Sequence, residues 1–192
     1  MDIAEYIPLA LRTAKPLSTE MALKHAVLGL ASDGGEVLDV IKAHAIYGQA
    51  LDRKHLAEEL GDTCWFAVYA ASSYPGINII TEMPYPPRDL VSAGIQLVIM
   101  NGIYADIVED VIARLYEENM VDAIIPAKYA TTHHTKQFSS ILSQIISLCA
   151  YMAGRAQLSL WEDCLPGNIA KLRKRYPEAY SDVNAAARAD KC

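Results

Sequence analysis

Apolar side chains recur three and four residues apart along most of the chain, and runs of strict alternation are few, so the pattern predicts helices rather than strands. A short helix is expected over 3–13, ended before Pro16. Ser18 then caps a long helix whose apolar positions, Met21, Leu23, Val27, Leu28, Leu30, Val37, Leu38 and Ile41, carry it to about Gly48. Gly34 and Gly35 are its weak point, because each Gly costs about 1 kcal/mol against Ala in a helix interior. A second helix starts at Asp52, which can cap Lys54 and His55, and runs through Leu56, Leu60, Cys64, Trp65 and Val68 to about Ser73. Four prolines (Pro75, Pro84, Pro86, Pro87) make 75–87 a loop. Further helices are expected over 88–119, with Gly102 as a point of fracture, over 138–153, and over 160–175. In the last, Pro166-Gly167 either interrupts the helix or precedes its real start. Pro126 and the polar 131–135 read as breaks, His133-His134 as solvated, and Ser181 as the cap of a final short helix.

About six helices joined by short loops place the chain in the all-α class, as an antiparallel helical bundle. Its 192 residues suit one domain, and 52% hydrophobic against 21% charged residues excludes a disordered chain. Seventeen Lys and Arg against 23 Asp and Glu leave a net charge of −6. Such a chain repels a phosphate backbone, which argues against nucleic acid as a partner; a nucleotide carried by metal ions stays open. Cys64, Cys149, Cys164 and Cys192 form no C-x-x-C pair, so a thiolate zinc site or a disulfide framework is not expected, and reduced thiols in a cytoplasmic protein are. The first residues lack the basic-then-apolar pattern of a secretory signal. Two stretches without charge, 90–105 and 137–154, read as buried helices rather than membrane spans: the first is shorter than the ~20 residues a bilayer needs, and the second carries four serines and two glutamines. Helices apolar on several faces point to a homo-oligomer.

The chemistry-bearing pattern is a set of four carboxylates. Asp33 and Glu36 are three apart on the first long helix, and Glu59 and Asp62 three apart on the next. Residues i and i+3 share a helix face, so antiparallel packing brings the two pairs together. Gly34, Gly35 and Gly61 beside them allow close backbone approach. Converging carboxylates repel by several kcal/mol without a cation, and oxygen-only ligands select a hard ion, Mg²⁺ or Mn²⁺. The plain alternative is two solvated acidic faces. No Glu has a His three residues later, as di-iron bundles require. No phosphate-binding glycine loop, dinucleotide fingerprint, H-E-x-x-H or G-x-S-x-G element is present. What remains is metal-assisted chemistry on a phosphate substrate, or no chemistry.

The stretches Gly29–Lys42 (GLASDGGEVLDVIK) and Leu56–Trp65 (LAEELGDTCW), in which 22 residues (Val37 to Glu58) separate Glu36 from Glu59, resemble the MazG-like family of all-α nucleoside triphosphate pyrophosphohydrolases, whose signature is E-E-x-x-E, a spacer, then E-x-x-D. Asn168-Ile169-Ala170-Lys171 and Arg175-Tyr176-Pro177 resemble its closing element. Ser32 and Asp33 stand where the signature has two acids. On this resemblance 18–74 and 159–180 form the core of a single domain spanning 1–192, with a helical insertion over about 75–150.

The resemblance implies hydrolysis of an NTP or dNTP to the monophosphate and pyrophosphate, for nucleotide-pool control or house-cleaning, by a dimer or tetramer with Mg²⁺. Asp33, Glu36, Glu59 and Asp62 become metal ligands, with Glu36 and Glu59 as the catalytic pair, and Asn168, Lys171, Arg175 and Tyr176 face phosphate and sugar. Lys42, six residues beyond Glu36, could reach the distal phosphates or be a surface lysine. Trp65, three beyond Asp62, could stack on a base or be core. The rival reading is a catalytically weak or inactive helical module that binds a nucleotide or a protein without turnover.

Overall fold

The computed structural model describes residues 1–118 and 133–187, and these contain helices and no strand. The elements are α1 (Ile3–Leu11), α2 (Thr19–Ala45), α3 (Arg53–Ser72), α4 (Leu90–Glu117), α5 (His133–Arg155), a π-helical turn (Leu160–Cys164), α6 (Leu165–Arg175) and α7 (Asp182–Ala187). Their starts carry the chemistry that orphan amides need. Ser18 accepts from the Met21 amide, Asp52 from His55 and Asp89 from Ser92, and Ser181 accepts from the Asn184 amide. Asp2 and Glu5 close a reciprocal capping box on α1.

Four long helices form the frame. His25 of α2 lies against Tyr69 of α3, and Glu36 against His55, so α2 and α3 run antiparallel. Asn101 of α4 donates to the Leu30 carbonyl (2.8 Å) and Tyr116 to Glu20 (3.2 Å), which makes α4 antiparallel to α2. In α5, His134 pairs with Asp110 (2.7 Å) and Phe138 packs on Tyr104, so α5 reverses α4 in turn. Each of these helices packs on two of the others, and Leu23, Leu30, Leu56, Leu60, Leu97, Leu142, Ile145 and Ile146 meet in the buried centre. Burying side chains of this kind stabilises by about 1.5–3 kcal/mol each before conformational entropy is set against it. The segment between the two family-like stretches thus supplies α4 and α5, half of the four-helix frame. Cys64, Cys149 and Cys164 are buried free thiols, and burial pushes Cys164 up to about 12.

Because α3 and α4 both oppose α2, they run parallel to each other, and the chain between them must return along the bundle. It does so as an extended strap on α5. The Asn78 amide donates to Ser139 Oγ (3.1 Å), the Ile80 amide to Ser143 Oγ (2.9 Å), and Ser147 Oγ donates to the Glu82 carbonyl (3.5 Å). Two extended residues advance about 6.7 Å and four helical residues about 6.0 Å, so serines spaced by four meet every second strap residue. This accounts for Ser139, Ser143 and Ser147 in the uncharged stretch 137–154 of α5.

Several expectations are revised. α4 runs unbroken through Gly102. α5 begins at His133, five residues before the expected start, and His134 is buried against Asp110 rather than solvated. The π-helical turn precedes α6, with Pro166 in the first turn of that helix. The expected end of the fourth helix at Asn119 and the break at Pro126 lie outside the described residues. α4 is, as a whole, long and apolar enough to cross a membrane; its Ala93, Gly94, Leu97, Tyr104 and Val108 face is buried, while Val91, Ile95, Val98, Ile99 and Ile103 are exposed.

Close helix approach makes a paired stability prediction. A Cβ on Gly29 would lie 2.2 Å from the Phe66 ring, whereas one on Gly102 would meet nothing within 4 Å. In urea unfolding, Gly29→Ala is expected to lose about 1–3 kcal/mol through overpacking, and Gly102→Ala to gain up to about 1 kcal/mol from helix propensity.

Candidate metal centre

The antiparallel seam of α2 and α3 gathers the predicted acids. Glu36 comes from α2, and His55 and Glu59 sit one turn apart on α3. His55 Nε2 lies 3.2 Å from Glu59 Oε1 and 3.7 Å from Glu36 Oε2. Ligand atoms of all three lie within 4.8 Å of one another. Glu59 is 7% exposed; Glu36 is open to solvent. Asp33 and Asp62, one turn along each helix, are half-buried beside Lys171 of α6.

The electrostatics are those of crowded acids. Burial and then the nearby Asp62 charge raise Asp33 from its ordinary 3.8 to about 6, against a lowering hydrogen bond from Ser32. Burial raises Glu59 to about 7, with Asp62, Glu36 and Asp33 adding to it. Asp62 is also raised, chiefly by burial, although Lys171 and Asn168 pull the other way. Each shift means that the folded seam holds negative charge poorly, and a divalent cation is what would relieve it.

Asp62 already has a cation. Lys171 Nζ bonds Asp62 and, at 3.2 Å, Glu58. Burial depresses the Lys171 ammonium, but these two acids outweigh it and hold its pKa above the usual value. Asn168 Nδ2 donates to the other Asp62 oxygen (2.6 Å), and the buried Tyr6 hydroxyl donates to Asn168 Oδ1 (2.7 Å). Gly61 makes this chain of contacts fit: a Cβ there would stand 2.9 Å from Asn168 Cβ and 3.0 Å from the Cys164 carbonyl. Asn168 therefore orients Asp62 from behind.

A cavity of about 400 Å³ opens beside Asp33 and Asp62. His25, Trp65, Phe66, Tyr176 and Tyr180 give it aromatic walls, and Lys15, Lys171 and Arg175 add positive charge. Trp65 is fixed in place: its indole donates to the Ala10 carbonyl (3.2 Å) and Thr13 Oγ1 (3.1 Å), and Tyr69 stacks on it at 5.2 Å. His25 is packed edge-on against Phe66 and Tyr69, and its buried Nδ1 has no hydrogen-bond partner. The cavity has the size and lining of a small-molecule site, apolar with a few convergent polar groups.

The structure brings together most of the residues singled out from sequence. Asp33, Asp62, Trp65, Lys171, Arg175 and Tyr176 line the cavity, Glu36 and Glu59 form the seam beside it, and Asn168 supports Asp62. Lys42 is not brought there. It pairs with Asp39 on the exposed side of α2, because six residues at 100° each turn it about 120° away from Glu36. Gly35 meets no neighbour; Gly29, facing Phe66, is the close approach between α2 and α3. His55 was missed as a site residue, although its i,i+4 spacing to Glu59 was a usable signal. Lys15, Phe66 and Tyr180 were missed because only the tertiary fold brings them to the cavity. Comparison with family models, with curated proteins and with solved structures found no match to this chain.

The Glu59 shift makes a pH prediction. The unfolded chain releases this proton near 4.5 and the native state near 7, so the native state binds more protons between these values and its stability falls as pH rises through them. In thermal unfolding with chelator present, Glu59→Gln should melt higher than the unmodified protein at pH 8, and the gap should close toward pH 4. A gap that is constant with pH would contradict the shift.

Proposed function

We propose that the chain is a metal-dependent nucleoside triphosphate pyrophosphohydrolase of the MazG-like type, releasing pyrophosphate and a nucleoside monophosphate with Mg²⁺, or Mn²⁺ in its place. The observation that carries this reading is the adjacency of the acidic seam and an aromatic cavity that also carries Lys15, Lys171 and Arg175. One would hold cations and the other a nucleotide, and phosphates would lie between them.

The donor set fits a hard divalent ion: Asp33, Glu36, Glu59 and Asp62 offer oxygens from two helices, and their raised pKa values mark a deficit of positive charge. When bound, such an ion supplies neutralisation of the acids and polarisation of phosphate oxygens and water. The chain's own residues do the rest. The walls built by His25, Phe66, Trp65 and Tyr176 hold the base and sugar and exclude water. Arg175 and Lys15, the latter on release from its pair with Asp182 (2.7 Å), would draw the phosphates in. Lys171, which pairs with Asp62, would turn to phosphate were that carboxylate to serve as a metal ligand. Asp33, one of the two acids that line the cavity, accepts the proton of the attacking water.

A binding module without turnover draws on one specific observation: Asp62 is already occupied by Lys171 and Asn168, so this acid is neutralised without any ion. An assay separates the two readings. A panel of NTPs and dNTPs is incubated with Mg²⁺ or Mn²⁺ and pyrophosphate is measured. Turnover of at least one nucleotide, abolished by chelation and lowered at least about 100-fold in Glu59→Gln, is expected, since loss of even an outer-shell partner costs 10–100-fold. Calorimetric binding with no product from any nucleotide would favour the module.

The same reading includes a homo-oligomer. The exposed apolar row on α4, Val91, Ile95, Val98, Ile99 and Ile103, is the face that supports it, since contiguous apolar surface marks contact sites. Light scattering should give a mass above that of one chain, and Ile99→Lys should lower it to that of one chain.

A further inference from the structure

We propose that His55 is itself a metal ligand, and that with Glu36 and Glu59 it makes a mixed nitrogen and oxygen centre that prefers a divalent transition ion of the Mn²⁺ type to Mg²⁺. The inference rests on the reading of Glu36 and Glu59 as metal ligands, and it names the ion that reading leaves open.

The geometry favours an ion over an ion pair. A proton on His55 Nε2 can serve one carboxylate at hydrogen-bond distance, and Glu59 at 3.2 Å satisfies that; Glu36 at 3.7 Å does not. A metal ion serves several donors at once. Two ligands each about 2.1 Å from one ion lie about 3 to 3.5 Å apart and at most about 4.2 Å. The His55–Glu59 and His55–Glu36 separations of 3.2 and 3.7 Å are within that limit, and the three donor atoms lie within 4.8 Å of one another, so an ion would draw the exposed Glu36 side chain slightly inward to complete the set. Glu59 is also more than nine-tenths buried. A carboxylate in such a place needs a charge beside it, and the cation of this seam, Lys171, is spent on Asp62 and Glu58.

The donor chemistry then selects the ion. Mg²⁺ keeps oxygen ligands and water and seldom takes imidazole, whereas imidazole suits the first-row transition ions. His55 and Glu59 at i,i+4 share a helix face, and Glu36 completes the set from α2. The centre lies one turn from the Asp33–Asp62 pair along both helices, so a transition ion here sits beside, not within, the part of the seam that Lys171 guards.

The test is Mn²⁺ and Mg²⁺ binding to the full chain and to His55→Gln and Glu59→Gln, by electron paramagnetic resonance titration and competition. Pulsed spin-echo spectra of bound Mn²⁺ report directly on a coordinated nitrogen. The unmodified protein should show ¹⁴N modulation. His55→Gln should lose it and bind Mn²⁺ at least tenfold more weakly, while Mg²⁺ affinity stays within twofold; retained Mg²⁺ binding also shows that the variant is folded. Glu59→Gln should weaken both ions. Absence of ¹⁴N modulation, or equal Mn²⁺ affinity in His55→Gln, overturns the role of His55 and leaves the carboxylate centre standing. Full retention of both ions in Glu59→Gln, or no binding of either ion by the unmodified protein, overturns the carboxylate centre as well.

Discussion

Negative charge crowded into a helix seam sets the terms for everything around it. Two unit charges about 4 Å apart repel by about 4 kcal/mol at an effective dielectric of about 20, and four carboxylates meet where α2 crosses α3. The fold answers this in two places and in two ways. Asp62 of one pair receives a lysine from α6 and is oriented by Asn168, which is itself held by Tyr6. The other pair, Glu36 and Glu59, receives only an imidazole, and Glu59 responds by holding its proton to about 7. A seam left short of positive charge in this way is poised for a divalent ion.

The surrounding structure exists to hold that seam in place against its own repulsion. The absence of a side chain at Gly29 lets Phe66 come up against α2, and Gly61 lets α6 lie on α3. α4 and α5 close the frame from the opposite side. The strap hung on Ser139, Ser143 and Ser147 solves a topological problem created by two parallel helices joined in sequence. It does so by hydrogen-bonding an otherwise unpaired extended backbone to an apolar helix. The rigid aromatic group around Trp65 follows from the same α2–α3 register and forms the cavity wall.

What could be read from sequence was local. The i,i+3 acid pairs, the caps at Ser18, Asp52 and Ser181 and the helical period all depend on residues within one or two turns, and they placed the seam correctly once the helices ran antiparallel. What escaped was nonlocal or rotational. The serines of α5 reveal their purpose only when paired with a segment some sixty residues away. His134 reads as polar until Asp110 is brought against it. Lys171 reads as a phosphate ligand, and its engagement with Asp62 depends on the packing of α6. Lys42 failed for a simpler reason: six residues are short of two turns, so charge of the right sign stood on the wrong face.

A crystal structure from protein soaked with Mn²⁺, using the anomalous signal of that ion, tests the central idea most directly. An anomalous peak within bonding distance of both Glu36 and Glu59, bridging α2 and α3, is the expected result. Well-ordered crystals whose seam stays empty at saturating Mn²⁺, with His55 and Lys171 unmoved between the acids, would contradict it.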